Sequence, residues 1–252
     1  MKARIGSIDF SRLEKRQALD YINSSRELHA GGRVITPNMH FFSLIRKNPD
    51  LLELVNSHEL ILCDGVPIVW LSKLARNPIP SRIAGSDFLI EMMNYSSNKK
   101  LCVAFVGGRI DTHKRIEERI LIEFPGIRHA IYCHAYLPHA DSIHDEAEFL
   151  EAAGICQPDI FFIGLGFPKQ EEISLELFEM FPKSWFLNVG MGIGYLSGEM
   201  NRCPSILQNI GMEWLWRLIS EPRRLFRRYI LEDLPTFISL LKNTIILERK
   251  SE

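Results

Sequence analysis

The chain has 252 residues, 46% of them hydrophobic, and a formal net charge of −1, which supplies enough apolar material for a sizeable core and excludes a disordered or fibrous polypeptide. The near-neutral charge argues against a protein that coats nucleic acid, although the last fifth of the chain is locally basic. Five scattered cysteines, Cys63, Cys102, Cys133, Cys156 and Cys203, suit a reducing compartment better than a disulfide framework or a zinc site.

The N-terminus carries no signal-peptide pattern, and no stretch approaches the run of about 18 apolar residues that a membrane span needs. The expectation is a cytoplasmic protein whose membrane contact is peripheral. An amphipathic opening from Lys15 to Leu28 is broken by Gly31 and Gly32, and Arg33 to Ile35 then predicts a short strand running into Thr36-Pro37-Asn38. The apolar spacing of Phe41, Phe42, Leu44, Ile45, Leu51, Leu52 and Val55 predicts two short helices. A second strand, Leu60 to Cys63, ends in Asp64-Gly65-Val66-Pro67.

A helix from Ile68 to Arg76 follows, then a proline-rich turn and Arg82-Ile83-Ala84-Gly85-Ser86-Asp87, where Ser86 or Asp87 is expected to cap a helix running through Asn94. Leu101 to Val106 is the clearest strand, stopping at Gly107-Gly108. A helix over Asp111 to Phe124, a strand over Ile127 to Tyr132, a helix near Ser142 to Ala153, and strands at Ile160 to Gly166 and Trp185 to Val189 complete the alternation. Such alternation implies a mainly parallel, doubly wound sheet. The expected fold class is α/β, a single Rossmann-like domain over residues 1–203 with helices flanking the sheet. Beyond Pro204 only helices are expected, Ile206 to Glu221 and Arg223 onward with a joint at Pro222, forming a basic helical appendage over residues 204–252.

Polar groups recur where strands end, which is where open α/β sheets collect ligands. Asp64 reads either as a general base with little steric cover or as the cap of the next helix. Thr36 and Asn38 read as groups holding a polar substrate or as a turn capping the helix after them. Gly107 and Gly108 are too short for a dinucleotide fingerprint and are either a phosphate contact or a plain turn. The segment Gly166-Phe167-Pro168-Lys169-Gln170-Glu171 delivers a glycine-proline loop to a helix N-terminus, an arrangement open to an anion or a sugar. Arg217, Arg224 and Arg227 would fall on broadly one face of a continuous helix, as a diphosphate clamp or as a solvated basic face. His129, His134, His139 and His144 recur every fifth residue, a spacing that matches no metal motif and reads as a polar surface loop. No Gly-x-Ser-x-Gly or Walker sequence occurs, so covalent catalysis and ATP hydrolysis lack support.

Taken together, Thr36-Pro37-Asn38, Asp64-Gly65, Arg82 with Gly85-Ser86-Asp87, Gly107-Gly108, Gly166 through Glu171, and Gly211-Met212-Glu213-Trp214-Leu215 running into Glu221-Pro222-Arg223-Arg224 resemble the WecG/TagA/CpsF glycosyltransferases across nearly the whole chain. The resemblance implies an inverting enzyme that moves a sugar from a UDP-sugar donor to a polyprenyl-diphosphate-linked glycan acceptor in bacterial surface polysaccharide synthesis. It implies Asp64 as the catalytic base, Thr36, Asn38, Arg82 and Gln170 as substrate-binding residues, and Gly107, Gly108, Gly166, Pro168, Glu171, Arg217, Arg224 and Arg227 at the donor nucleotide or diphosphate. No metal or cofactor is expected, because arginines at a departing diphosphate take the place of Mg²⁺. The implied partners are the donor, the lipid-linked acceptor and the inner face of the cytoplasmic membrane, with no nucleic acid; helix faces of mixed apolarity would permit a homo-oligomer. A non-catalytic nucleotide-sugar scaffold or sensor at the membrane is the alternative.

One departure stands out. The family pattern Gly-Gly-Ala-Phe-Asp is replaced by Gly190-Met191-Gly192-Ile193-Gly194, so a glycine stands where a carboxylate is usual. The donor therefore need not be N-acetylmannosamine, and a glucosyl or uronosyl donor is open.

Overall fold

The computed structural model describes residues 2–133, 149, 151–201, 203, 204, 207 and 212–251. Its first element is one the sequence reading did not anticipate: an antiparallel hairpin of β1 (Lys2–Ile5) and β2 (Ile8–Ser11). Gly6, at φ 58°, turns the chain, and Ala3, Ile5, Ile8 and Phe10 are buried.

Four strands, β3 (Gly32–Ile35), β5 (Cys102–Val106), β7 (Ile160–Ile163) and β8 (Trp185–Asn188), bury every residue. That is the signature of parallel strands covered on both faces. With β4 (Leu60–Ile61) and β6 (His129–Cys133) they form a six-stranded sheet in the order β4-β3-β8-β7-β5-β6, every pairing parallel. The hairpin covers the outer edge, where the Ser11 hydroxyl accepts the Ile61 amide at 3.2 Å. An otherwise open strand edge is thereby closed.

The helices Lys15–Glu27, Gly85–Asn98 and Ile110–Glu123 supply Ile22, Phe88, Met92 and Ile116 to one core layer, against Val34, Phe105, Phe162 and Leu187 of the sheet. On the opposite face the Lys169–Met180 helix supplies Leu177 to a cluster holding Phe161 and Phe186, whose rings stack 4.5 Å apart. Truncating either ring to alanine would cost about 3–5 kcal/mol. The Met39–Lys47 and Val66–Leu74 helices share a third cluster with the hairpin.

Several helix ends differ from expectation. The helix expected to be capped by Ser86 or Asp87 begins at Gly85 with Ala84 at its cap and no side-chain cap bond. The helix start is pressed against the loop after β3, where a Cβ on Gly85 would lie 2.8 Å from the Thr36 hydroxyl. Residues 149 and 151–156 are helical, whereas the rest of the helix expected near Ser142 lies outside the described residues, as do His134, His139 and His144.

From Glu213 onward the C-terminal segment is helical, as expected, whereas residues 206 and 208–211 of the helix expected from Ile206 lie outside the described residues. The Glu213–Ser220 helix stops at Glu221, whose φ and ψ of −135° and 59° leave helical space just before Pro222. The Pro222–Phe226 helix then passes into a π-helical stretch, Arg227–Asp233, and a long helix, Leu234–Ser251. This segment packs on the sheet domain. Phe237, Leu240 and Leu241 reach the hairpin cluster, and Asp233 accepts from the Ser43 hydroxyl at 2.9 Å while Lys47 pairs with Glu232 at 2.8 Å. Among the described residues no helix is long and apolar enough to cross a membrane.

Candidate active site

Because the six strands run parallel, the loops after β3, β4, β5, β7 and β8 emerge at one edge of the sheet. Two main-chain bonds fuse the first two loops: the Leu62 amide reaches Ile35 at 2.8 Å and the Asp64 amide reaches Pro37 at 3.0 Å. Thr36, Asn38 and Asp64 are thus neighbours. A third bond, from the Ile83 amide to the Cys63 carbonyl at 2.7 Å, brings Arg82 alongside.

Asp64 is the centre of a charged chain. Arg82 donates Nε to Asp64 Oδ1 at 3.0 Å and Nη2 to Glu213 Oε2 at 2.6 Å, while Arg217 donates Nη2 to Glu213 Oε1 at 2.5 Å. The Arg217 guanidinium lies over the Tyr195 ring, 5.9 Å from its centroid. Asp64 and Arg82 retain 18% and 19% side-chain exposure, enough for a substrate to reach them. Burial pushes the Asp64 carboxyl above the ordinary carboxylate range, against the opposing pull of Arg82 and Arg217. Burial acts the same way on Glu213, but there Arg217 and Arg82 win and its carboxyl is held low. The group expected to act as a base is therefore the more basic of the two carboxylates.

Asn38 takes the capping role that its sequence position offered. Its Oδ1 caps the Met39–Lys47 helix by accepting the His40 amide at 3.0 Å, and it also accepts from Arg228 Nη2 at 3.3 Å. Arg228 in turn donates Nε to Asp233 at 3.3 Å. The π-helical stretch thus reaches the loop after β3.

Gln170 is buried, and its amide works inward. Its Oε1 accepts the Gly166 amide at 3.2 Å and the Gly190 amide at 3.1 Å, tying the loops after β7 and β8 together, and its Nε2 donates to Glu171 Oε1 at 2.7 Å. Glu171, expected at the donor diphosphate, is wholly buried. Its carboxylate connects to the loop through the Gln170 amide. Burial pushes its carboxyl up to about 8, and its Oε2 has no hydrogen-bond partner among the described residues. Gly166 is exposed at φ 78° and Pro168 partly exposed, so the loop itself faces outward. Gly107 and Gly108 sit at φ 96° and 94°, conformations that favour glycine, and Gly108 closes against Thr112, His113 and Ile193.

The three arginines do not lie on one continuous helix, because the break at Glu221 and the π-helical stretch intervene. Arg217 turns toward Glu213 and Tyr195, Arg227 is exposed, and the Arg224 side chain lies outside the described residues. Glu213, Tyr195 and Arg228 are members of the site that sequence reasoning missed. The four-residue spacing of Glu213 and Arg217 was a signal for their pair. Nothing local foretold the bridge to Arg82. At Gly194, in the short Gly192–Leu196 helix, a Cβ would lie 3.2 Å from the Met200 sulfur, so a larger side chain would require Met200 to yield.

Comparison with known proteins identifies the family. The model of the glycosyl transferase WecG/TagA/CpsF family matches residues 3–250. Among similar proteins are the N-acetylglucosaminyldiphosphoundecaprenol N-acetyl-beta-D-mannosaminyltransferases of Bacillus spizizenii, 28% identical over 93% of this chain and 88% of the relative, and Bacillus subtilis, 29% identical over 82% and 78%. That of Staphylococcus aureus strain MW2 is 25% identical over 81% of this chain and 77% of its own length. With the family model spanning all but the chain's extremities, the protein is a glycosyltransferase and belongs to the WecG/TagA/CpsF family.

Proposed function

We propose that this enzyme transfers a sugar from a UDP-sugar donor to a polyprenyl-diphosphate-linked N-acetylglucosamine acceptor, with inversion at the anomeric carbon and without a divalent metal. The observation that carries the reading is Asp64 in the loop after β4, partly buried, raised in basicity and still reachable. In this reaction an acceptor hydroxyl oxygen forms the new bond to the anomeric carbon, its proton passes to Asp64, and the carbon–oxygen bond to the diphosphate breaks with its electron pair leaving on UDP. One displacement inverts configuration. Arg82 and Arg217 lie beside Asp64 and would offset the charge gathering on the leaving diphosphate. Thr36 and Asn38 would hold the acceptor's hydroxyls, and Gln170 would shape the donor loop by tying Gly166 to Gly190. Gly107, Gly108 and Pro168 would border the nucleotide, with Arg224 and Arg227 approaching its phosphates.

The acceptor's lipid calls for a membrane surface. Trp214, Ile219, Phe226, Ile230, Leu231 and Leu234 are exposed along the C-terminal helices, with Arg223 and Arg227 also exposed among them. This mixture suits peripheral binding to the inner face of an anionic bilayer. The test is a panel of UDP-sugars offered with undecaprenyl-diphosphate N-acetylglucosamine. Product from one donor, persisting in EDTA, is the expected result; no product from any donor overturns the reading.

A further inference from the structure

Arginine meets a carboxylate most strongly through its two-pronged edge, with both nitrogens on both oxygens. Arg82 does not meet Asp64 in this way. It gives Asp64 a single bond, Nε to Oδ1, while its Nη2 is drawn 2.6 Å from Glu213. Among the described residues no hydrogen bond reaches the other oxygen of Asp64. Glu213 is anchored on its far side by Arg217 at 2.5 Å, and it arrives from the C-terminal segment, 131 residues along the chain from Arg82.

We infer that Glu213 is a positioning residue: by holding Nη2 of Arg82 it splits that guanidinium's grip and leaves one oxygen of Asp64 free to take the acceptor's proton. The inference deepens the reading of Asp64 as the base and rests on it. Without Glu213, the Arg82 edge would close on both Asp64 oxygens, occupying the lone pair that must receive the proton. Electrostatics act in the same direction. The charged groups facing Asp64 are Arg82, Arg217 and Glu213, with the Tyr195 hydroxyl and the Cys63 thiol nearby. Of the three charges Glu213 is the one that raises its basicity. Removing that negative charge while tightening Arg82 makes Asp64 a weaker base.

Glu213→Gln, nearly isosteric, tests this beside Glu213→Asp, which keeps the charge, and Glu123→Gln, which makes the same change at an exposed carboxylate paired with Arg119. Two readouts are needed. The Asp64 carboxyl is titrated by carbon NMR, assigned with Asp64→Asn, and the pH profile of kcat/KM is recorded with the UDP-sugar that the wild-type enzyme uses. In Glu213→Gln the Asp64 titration and the acidic limb of kcat/KM both move to lower pH by about half a unit or more, and kcat falls about tenfold. Glu213→Asp recovers much of both, and Glu123→Gln leaves the limb in place. An Asp64 titration unchanged in Glu213→Gln overturns the inference, as does a limb that moves equally in Glu123→Gln. Because the titration needs no turnover, a wild-type protein that transfers no sugar would count against the proposed reaction while the link from Glu213 to Asp64 is still decided by NMR.

Discussion

The Arg82 guanidinium lies between two carboxylates from distant parts of the chain and donates Nε to Asp64 at 3.0 Å. Its other contact is with Glu213 at the first turn of the C-terminal helices. The C-terminal segment thereby reaches the expected base directly, and the site is complete only when that segment is docked.

The docking has a second anchor whose removal is measurable. Asp233 is buried and accepts from Ser43, while His40 and Arg228 face it at 3.3 Å. Asp233→Ala removes an acceptor that these groups share, at a cost of about 1–3 kcal/mol. Limited proteolysis should cut the variant between Ser220 and Leu234 faster than the wild type, with reduced transfer. Equal cleavage rates would contradict this docking.

Gln170 predicts a separation of binding from chemistry. Gln170→Ala removes the acceptor shared by the Gly166 and Gly190 amides and lets the two loops drift. Donor KM should rise about tenfold, with kcat less affected. Steady-state kinetics at saturating acceptor would check it, and an unchanged donor KM would show that the loops hold without Gln170.

Glu171 makes stability depend on pH. Burial raises its carboxyl from 4.5 in the unfolded chain to about 8 in the folded one, so the folded state holds a proton that the unfolded state releases. Its favourable contribution is full below about pH 4.5 and is lost as pH rises through about 8. Glu171→Gln, neutral at every pH, should lose less stability than the wild type between pH 6 and pH 9. Thermal melts at both values test this, and parallel shifts of the two proteins would contradict it.

These elements also mark how much was legible in the sequence. β5, β7 and β8 announced themselves because strands covered on both faces must be apolar throughout, and the loops after them because glycine, proline and polar residues cluster where such strands end. Asp64, Thr36 and Asn38 were found for that reason, and the structure brings them together. The β1–β2 hairpin escaped because its four-residue strands mix Lys2, Arg4 and Asp9 with their apolar positions. The inward turn of Gln170 and the buried state of Glu171 depend on the packing of the helix they open. The Arg82–Glu213 bridge is tertiary, joining segments with no periodicity in common, and the π-helical stretch changes which way Arg227 and Arg228 face. A single-face reading of the arginines assumed a continuous helix that Glu221 interrupts.

The account's central claim is that Asp64 takes the acceptor's proton. Transfer by purified Asp64→Asn, compared with wild type at saturating UDP-sugar and undecaprenyl-diphosphate N-acetylglucosamine, tests it most directly. Loss of a general base predicts kcat lower by about 10²–10⁴-fold, with donor affinity by calorimetry close to that of the wild type. Turnover by Asp64→Asn equal to that of the wild type would contradict the account.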